Sequence, residues 1–284
     1  KPKIEIILNI DSDHLDYFKD IDHIVSSFDK FAHLVPGSGT IIAYDANPFV
    51  NQVIRDLDNV VTFGLSENCD YYAANIKFNE DGMPSFDVCH DGKLLSRVQL
   101  AVPGEHNILN ALAAFTCACV LGVEPALTKE TLEAYHGTQR RFDLVGTTAR
   151  GVKIVDDYAH HPTEIKATLS ASENVPHNKL WCIFQPHTYT RTIALFDEFA
   201  DAFEKADHLI LAEIYAAREK NIYKISSAQL VEKIKETHPD KDVLFMEDFA
   251  AIADYVDSQA QRGDMVITMG AGDIYKVGEM LLEK

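Results

Sequence analysis

VKIVDDYAHHPTEIKATLSAS, residues 152–172, places an apolar run, a polar loop and a helical pattern directly after one another. The apolar run Val152–Val155 is typical of a buried strand. Pro162 begins the helical pattern, at the position where a missing N–H group is tolerated, so we predict a helix over Pro162–Ser172. A strand followed at once by a helix predicts one unit of a parallel, helix-covered sheet.

The same alternation continues to the end of the chain, with a short strand Leu144–Thr148 before it. Further strands are predicted at Leu180–Phe184, Leu209–Leu211, Val243–Phe245 and Met265–Met269. Further helices are predicted at Arg191–Phe203, Ser226–Glu236, Phe249–Gln261 and Ile274–Leu282. Strands that alternate with helices favour right-handed crossovers and a doubly wound, mainly parallel, Rossmann-like domain.

The first half of the chain has a different pattern. Predicted strands are Ile4–Ile10, Thr40–Tyr44, Val60–Phe63, Tyr71–Phe78, Ser85–Cys89 and Leu94–Ala101, and predicted helices are Asp20–Leu34, a short one from Pro48, Glu105–Leu121 and Lys129–Tyr135. Asp81-Gly82 and Asp91-Gly92 are hairpin signals. Because the composition changes at 137–142, we predict an α/β protein with two domains, 1–139 and 140–284.

The composition narrows the classes of partner. The chain has 284 residues and a formal net charge of −18, which repels nucleic acids and anionic lipids. An anionic nucleotide would therefore need a local positive site. No apolar run is long enough to span a bilayer. The five cysteines form no CxxC pair and no disulfide framework, so we expect a reducing, cytoplasmic location.

Polar loops follow four strands of the second half. Ligands bind beyond the carboxyl ends of the strands in an open α/β sheet, so these loops are the expected site. They are DDYAHH (156–161), QPHTYTR (185–191), EIYAARE (213–219) and GAGD (270–273). Each loop also has a structural explanation: helix capping by aspartate, a hydrogen-bonded histidine pair, surface ion pairs of arginine, or a tight glycine turn. Their concentration on one edge favours a functional site.

Two motifs of the first half suggest a metal and a nucleotide. NIDSDHLD (9–16) follows a strand and offers one imidazole and several carboxylates, which suits a divalent cation near phosphates. The alternative is an acidic helix start, where carboxylates favour the helix dipole. His106, Asn107 and Asn110 lie on the first turn of a helix after Gly104, where they could bind a base or ribose. Helix capping is the alternative.

These motifs resemble the Mur ligase family of ATP-dependent amide ligases across the whole chain. NIDSDHLD is similar to the metal segment of the central ATP-binding domain, and PGEHNILNALAA (103–114) to its nucleotide-binding helix start. GTQRRFDLVG (137–146) resembles the hinge to the C-terminal domain. DDYAHHPTEIKATLSA (156–171), QPHTYTR, EIYAARE and MGAGDIY (269–275) are similar to the alanine-adding branch.

The resemblance implies ATP and Mg²⁺ as cofactors, UDP-N-acetylmuramate and L-alanine as substrates, and an acyl phosphate intermediate in peptidoglycan precursor synthesis. It places the metal at His14. The implied nucleotide-binding residues are His106, Asn107, Asn110, Asp156 and one of Arg140 and Arg141, with Arg141 preferred. The implied catalytic residues are Tyr158, His160 and Arg191, with Arg191 as a carboxylate partner because of its rigid fork of donors.

One departure from the family pattern matters. The sequence has no GxxxxGK[ST] phosphate-binding loop. The resemblance implies that this loop and the UDP-binding domain lie upstream of Lys1, so we expect a part of a longer protein that is inactive alone.

Three other functions compete with this interpretation. The first is a murein-peptide recycling ligase or a glutamate-adding folate relative. The second is a non-catalytic nucleotide-binding or assembly module. The third, a metal-dependent hydrolase, is disfavoured because no HExxH spacing occurs.

Overall fold

The computed structural model describes residues 1–15 and 17–284, and its contacts divide the chain into two compact units, Lys1–His136 and Gly137–Lys284. Each unit contains a six-stranded sheet. The sheets are mainly parallel and covered by helices, which confirms the predicted α/β class.

In the residues that the structure describes, the first unit consists of six strands and four helices. In chain order these are β1 (Ile4–Ile7), α1 (Ile21–Ala32), β2 (Thr40–Tyr44), α2 (Pro48–Ile54), β3 (Val60–Gly64), β4 (Tyr71–Phe78), β5 (Pro84–His90), β6 (Lys93–Gln99), α3 (Glu105–Val120) and α4 (Pro125–Glu133). The sheet order follows the chain order, β1 to β6. Strands β1 to β4 pair in parallel, and β4 to β6 form an antiparallel meander.

Alternation along β2 divides the core of the first unit between the two faces of the sheet. Ile41 and Ala43 join the cluster that contains the buried residues of α1 and α2. Ile42 joins the other cluster, which contains the buried face of α3. Ile7 on β1 belongs to the first of these clusters, so by alternation Glu5 points toward the same apolar layer.

The second unit also has six strands, with six helices. In chain order these are β7 (Asp143–Thr147), β8 (Lys153–Asp157), α5 (Pro162–Ser172), β9 (Leu180–Phe184), α6 (Tyr189–Ala194), α7 (Phe196–Ala200), β10 (His208–Leu211), α8 (Ser227–Thr237), β11 (Asp242–Phe245), α9 (Phe249–Gln259), β12 (Met265–Met269) and α10 (Tyr275–Leu282). The strand order is β11-β10-β9-β12-β8-β7, and only the edge pair β7–β8 is antiparallel.

Helices cover the second sheet on both faces, as a doubly wound fold requires. Trp181 and Ile183 of β9 pack with the buried side chains of α9 and α10. Phe184, which points to the other face, contacts Phe199 and Phe203 with ring centroids 5.7 and 5.1 Å away. The chain therefore leaves β9 toward one face and β12 toward the other, which makes the end of β12 a topological switch point.

One predicted helix of the second unit is wrong. Arg191–Phe203 is not a single helix, because the chain bends at Leu195 (φ −117°, ψ 29°) between α6 and α7. Leu195 and Phe199 are both buried, and the bend keeps both side chains in the core. Apolar spacing could not reveal the bend, since a straight helix would place the same two residues on one face.

Several predicted boundaries also changed, and strand β1 ends at Ile7, three residues before its predicted end. Asp156 and Asp157 were expected in a loop, but they are the last residues of β8 and pair with Thr268 and Met269 of β12. Helix α4 begins at Pro125, four residues before the predicted start, with proline in the first turn. No helix in the described ranges 1–15 and 17–284 has the length and apolar character that crossing a membrane requires.

Candidate active site

The four polar loops of the second unit start from the same edge of its sheet. Strands β8, β9, β10 and β12 are mutually parallel in this sheet, so their carboxyl ends point the same way. The switch point at the end of β12 lies between the ends of β8 and β9. This arrangement is the usual position of a ligand site in a doubly wound fold.

Gln185 joins three of these loops. Its Nε2 donates to the Glu213 carbonyl (3.1 Å) and its Oε1 accepts from the Asp273 backbone N–H (3.1 Å). The side chain is buried. Gly272 allows this contact, because a Cβ there would lie 2.4 Å from the Gln185 Oε1. The ends of β9, β10 and β12 are thus connected by one amide, a residue that the sequence placed in a loop without a role.

The predicted catalytic residues Tyr158, His160 and Arg191 come together around His187. The His160 ring lies edge-on to Tyr158 (centroids 5.4 Å apart) and to His187 (5.8 Å). Arg191 Nη1 lies 3.2 Å from His187 Nδ1. Two imidazoles, a phenol and a guanidinium therefore form one half-buried cluster that can bind a carboxylate and position a small polar substrate.

The His160 ring has a defined tautomer when it is neutral. Its Nδ1 lies 2.9 Å from the Tyr158 carbonyl oxygen, which can only accept, so Nδ1 carries the proton. The backbone N–H of His160 donates to Glu164 (3.0 Å). The adjacent His161 caps α5, where it forms a capping box with Glu164. With the proton on Nδ1, Nε2 is the basic nitrogen of the neutral His160 ring.

Asp156 is buried and forms an ion pair. Its Oδ2 accepts from Arg140 Nε (2.7 Å), and its Oδ1 accepts from the Thr268 hydroxyl (2.8 Å). Arg140 also donates to the carbonyls of Gly270 and Gly272. The Arg140 guanidinium is consequently used within the second unit, and both Asp156 oxygens already have donors.

Arg141 is the more accessible of the two adjacent arginines. Its side chain is 52% exposed, against 26% for Arg140. It forms a loose pair with Glu164 (3.5 Å) and lies over the Tyr158 ring at 5.6 Å. A half-exposed guanidinium beside the site is the local positive charge that an anionic ligand of this acidic protein needs.

Asp157 fixes the entry of the chain into the second unit, a role that the sequence analysis missed. It accepts from the backbone N–H groups of Phe142 (2.9 Å) and Ala159 (2.7 Å) and from the Thr168 hydroxyl (3.1 Å). Burial raises the pKa of its carboxyl, against the opposing effect of these donors. Arg140 and Phe142 have left-handed backbones (φ 60° and 46°), which these contacts stabilise.

In the first unit, the predicted nucleotide residues lie at the start of α3. Gly104 precedes the helix with φ 96°, a conformation that favours glycine. Asn107 Nδ2 donates to the Pro103 carbonyl (2.7 Å), and Asn110 Nδ2 donates to Asn107 Oδ1 (3.2 Å), so the two amides share a face as predicted. His106 is half-buried beside them. The amides brace the turn and leave Asn110 exposed.

His14, the predicted metal ligand, is in a left-handed conformation (φ 53°) with its side chain 68% exposed. Its Nε2 lies 3.8 Å from Asp13 Oδ2. Asp16, the last residue of the predicted motif, lies outside the described residues. In the rest of the chain, no group of three or more His, Cys, Asp or Glu side chains is arranged to hold a metal. One imidazole and one carboxylate fit Mg²⁺ only where phosphates and waters complete its shell.

Each of the two units matches a model of a known protein family. The family model described as the Mur ligase middle domain matches residues 1–118, and the one described as the Mur ligase glutamate ligase domain matches residues 140–272. The chain belongs to the Mur ligase family.

Relatives of known name are similar over the whole chain. UDP-N-acetylmuramate–L-alanine ligases from Alkaliphilus metalliredigens and Caldanaerobacter subterraneus are each 48% identical to it, over 99% and 100% of this chain. The chain spans 60% and 61% of the length of these two relatives.

Solved structures of related ligases superpose on this chain. The UDP-N-acetylmuramate–alanine ligase of Thermotoga maritima superposes with a TM-score of 0.78 at 26% identity, over 99% of this chain and 59% of that one. A MurF ligase from the same organism, in complex with ADP, superposes with a TM-score of 0.77 at 19% identity. The match covers 99% of this chain and 62% of the MurF chain. The second likeness shows the fold alone.

Proposed function

We propose that this chain is the nucleotide and amino-acid side of an ATP-dependent ligase that joins L-alanine to UDP-N-acetylmuramate. The observation that carries the proposal is the cluster of Tyr158, His160, His187 and Arg191 at the switch-point edge of a Mur ligase C-terminal domain. The relatives at 48% identity are named for this reaction. The proposed domains are 1–139, for ATP, and 140–284, for the amino acid, and the proposed location is the cytoplasm.

The reaction requires positioning and charge stabilisation more than covalent help from the protein. The substrate carboxylate attacks the γ-phosphoryl group of ATP, the bond to the β-phosphate oxygen breaks, and an acyl phosphate forms as ADP leaves. The amine of L-alanine then attacks the acyl carbon, and phosphate leaves as the amide forms. A base must accept one proton from the alanine ammonium, and we assign this role to Nε2 of the neutral His160 ring, whose Nδ1 carries the ring proton.

The remaining roles follow from charge and exposure. Arg191 binds the alanine carboxylate, since a guanidinium offers two parallel donors to two oxygens. Arg141 lies beside the phosphates, because it is the exposed member of its pair. Tyr158 lies between Arg141 and His160 and orients both. Asp156 would contact nucleotide only through a rearranged Arg140, given its present partners.

For the first unit we propose that His106, Asn107 and Asn110 bind the nucleotide at the start of α3. Asn110 is the exposed amide of the pair. His14, with Asp13 beside it, would hold Mg²⁺, which neutralises phosphate charge when bound. The donor chemistry fits a cation held mainly by ligand phosphates.

Phosphate release tests the proposal. ATP, magnesium, UDP-N-acetylmuramate and L-alanine are incubated with this chain and, in parallel, with the polypeptide of the complete coding region. We expect the longer polypeptide to release phosphate only when all four of these compounds are present. No release from it, with ATP binding retained, would favour a non-catalytic nucleotide-binding module. Release with a murein tripeptide in place of L-alanine would favour a recycling ligase.

A further inference from the structure

His187 is the one member of the site cluster to which the sequence gave no role. It lies in the loop after β9, one helical turn before Arg191. Its Nδ1 is 3.2 Å from Arg191 Nη1. A guanidinium has donors only, so this contact is a hydrogen bond only if Nδ1 of His187 is unprotonated. The neutral His187 ring must then carry its proton on Nε2.

The surroundings of His187 hold the ring in this orientation. The ring stacks on Tyr215 (centroids 5.6 Å apart, planes at 20°) and meets His160 at 5.8 Å. The backbones of the two loops are joined as well: Thr188 N–H donates to the Tyr215 carbonyl (2.9 Å), and Tyr215 N–H donates to the Pro186 carbonyl (2.8 Å). The ring plane is thereby held between Tyr215 and His160, in an orientation that places Nδ1 next to Arg191.

The charges around His187 favour its neutral form. Burial lowers its pKa, and the nearby Arg191 and His160 lower it further, while Glu219 opposes them. Glu219 is itself bound to Thr190 by the backbone N–H (2.9 Å) and the hydroxyl. Among the described residues, the titratable groups around the ring include Arg191, His160, Tyr215 and Glu219, and two of them, Arg191 and His160, disfavour a second cation.

We propose that His187 is a positioning residue, which holds the Arg191 guanidinium through the lone pair of Nδ1 so that its charge is directed to the substrate carboxylate. This inference rests on the proposed function, because it assigns Arg191 to the amino-acid carboxylate. A neutral acceptor suits this task better than a carboxylate. A carboxylate would neutralise Arg191 and compete with the substrate, whereas imidazole fixes the guanidinium without taking its charge.

The first test is spectroscopic and needs no activity. Long-range ¹H–¹⁵N correlation on the ¹⁵N-labelled chain distinguishes the two histidine tautomers. We expect His187 at pH 7 in the Nε2–H form, and we expect its pKa to rise in Arg191→Met. A ring that carries its proton on Nδ1, or on both nitrogens, at pH 7 would overturn the proposal.

The second test uses the complete polypeptide. His187→Asn keeps an acceptor near the position of Nδ1, and His187→Leu removes it. We expect His187→Leu to raise the KM for L-alanine about tenfold with the KM for ATP unchanged, as loss of one such hydrogen bond predicts, and His187→Asn to restore most of it. In the unmodified enzyme the KM for alanine should also rise at acid pH, where His187 protonates.

His177→Asn is the matched control, because His177 binds the Val175 carbonyl (2.7 Å) in the loop between α5 and β9, outside the site. Equal alanine KM values for His187→Leu and His187→Asn would contradict the positioning role, whatever the tautomer. If the unmodified polypeptide releases no phosphate with alanine, the proposed function fails, and with it the alanine role of His187. The spectroscopic test then still decides whether His187 holds Arg191. If His187→Leu does not fold, the tautomer and the His187→Asn kinetics remain decisive.

Discussion

Arg191 is the residue whose replacement should separate amino-acid binding from nucleotide binding. Its guanidinium is held by His187 in the second unit, whereas the proposed nucleotide residues of α3 belong to the first. In the complete polypeptide, Arg191→Ala should raise the KM for L-alanine by about tenfold or more, because a hydrogen bond to a charged group is lost. ATP affinity should stay within about twofold of the unmodified value.

Phosphate release at varied alanine, together with ATP titration by calorimetry, measures both quantities. Arg150→Ala is the control, since Arg150 forms an exposed pair with Asp257 (3.4 Å) away from the site. Unchanged alanine kinetics in Arg191→Ala would show that Arg191 does not bind the amino acid.

Glu5 is a buried carboxylate of strand β1. It is 2% exposed, and neither of its side-chain oxygens has a hydrogen-bond donor within reach among residues 1–15 and 17–284. Burial raises its pKa to about 7. Because the folded pKa lies above that of the unfolded chain, the protonated form stabilises the fold at acid pH. That stability is lost as pH rises from about 4.5 to about 7.

Glu5→Val should therefore stabilise the first unit at pH 8, by about 2 kcal/mol, and much less at pH 4, because valine removes the buried charge at nearly constant volume. Urea unfolding followed by far-UV circular dichroism at both pH values measures the difference. Glu5→Gln is the control for charge alone. An equal gain at the two pH values would mean that Glu5 does not titrate in this range.

The sequence predicted where the candidate site residues lie, but it did not predict their contacts. Tyr158, His160 and Arg191 were expected on one sheet edge, and they gather there. The pairing of Asp156 with Arg140 could not be predicted, because it depends on two left-handed residues that bring 140 back over β8. Local sequence does not encode such a reversal when neither residue is glycine.

At the scale of elements, the turn between β12 and α10 depends on Gly272. A Cβ at this position would meet Gln185 Oε1 at 2.4 Å and Tyr215 Cγ at 2.8 Å. Gly272→Ala should therefore displace the Gln185 amide and lower the free energy of unfolding by about 1–3 kcal/mol. Gly146→Ala is a milder change in the same unit, because the nearest atoms to its Cβ would be the methyl ends of the flexible Leu282 side chain, at 3.0 and 3.3 Å.

Urea midpoints of the two variants provide the comparison. If Gly146→Ala lowered the free energy of unfolding as much as Gly272→Ala does, the Gln185 contact would not explain the loss of stability.

Elements with an unambiguous period and a clear stop were predicted most accurately. Thr40–Tyr44, Leu180–Phe184 and Met265–Met269 have the observed bounds, because each is an apolar run between polar turns. The paired helices α6 and α7 were missed, since the bend at Leu195 comes from packing in the core. Tertiary contacts decide such breaks, and spacing alone does not contain them.

At the scale of the molecule, each unit has its own core, and one tryptophan reports on the second. Trp181 is 4% exposed in the cluster formed with α9 and α10, and it is the sole tryptophan of the sequence. Its fluorescence should therefore report the urea unfolding of the second unit. Gly272→Ala should shift this transition, and Glu5→Val should leave its midpoint unchanged within error.

Circular dichroism of the same samples supplies the signal of both units. A fluorescence midpoint that moved with Glu5→Val would show that the two cores unfold as one cooperative system.

The Gln185 amide has a consequence for ligand affinity. It holds the ends of β9, β10 and β12 together through backbone groups of Glu213 and Asp273. The conformational entropy of these loops is therefore lost when the chain folds, and a ligand need not order them again. The cluster is preorganised, so little of the free energy of its contacts with a small amino acid is spent on ordering the loops. Most of that free energy can therefore contribute to binding affinity.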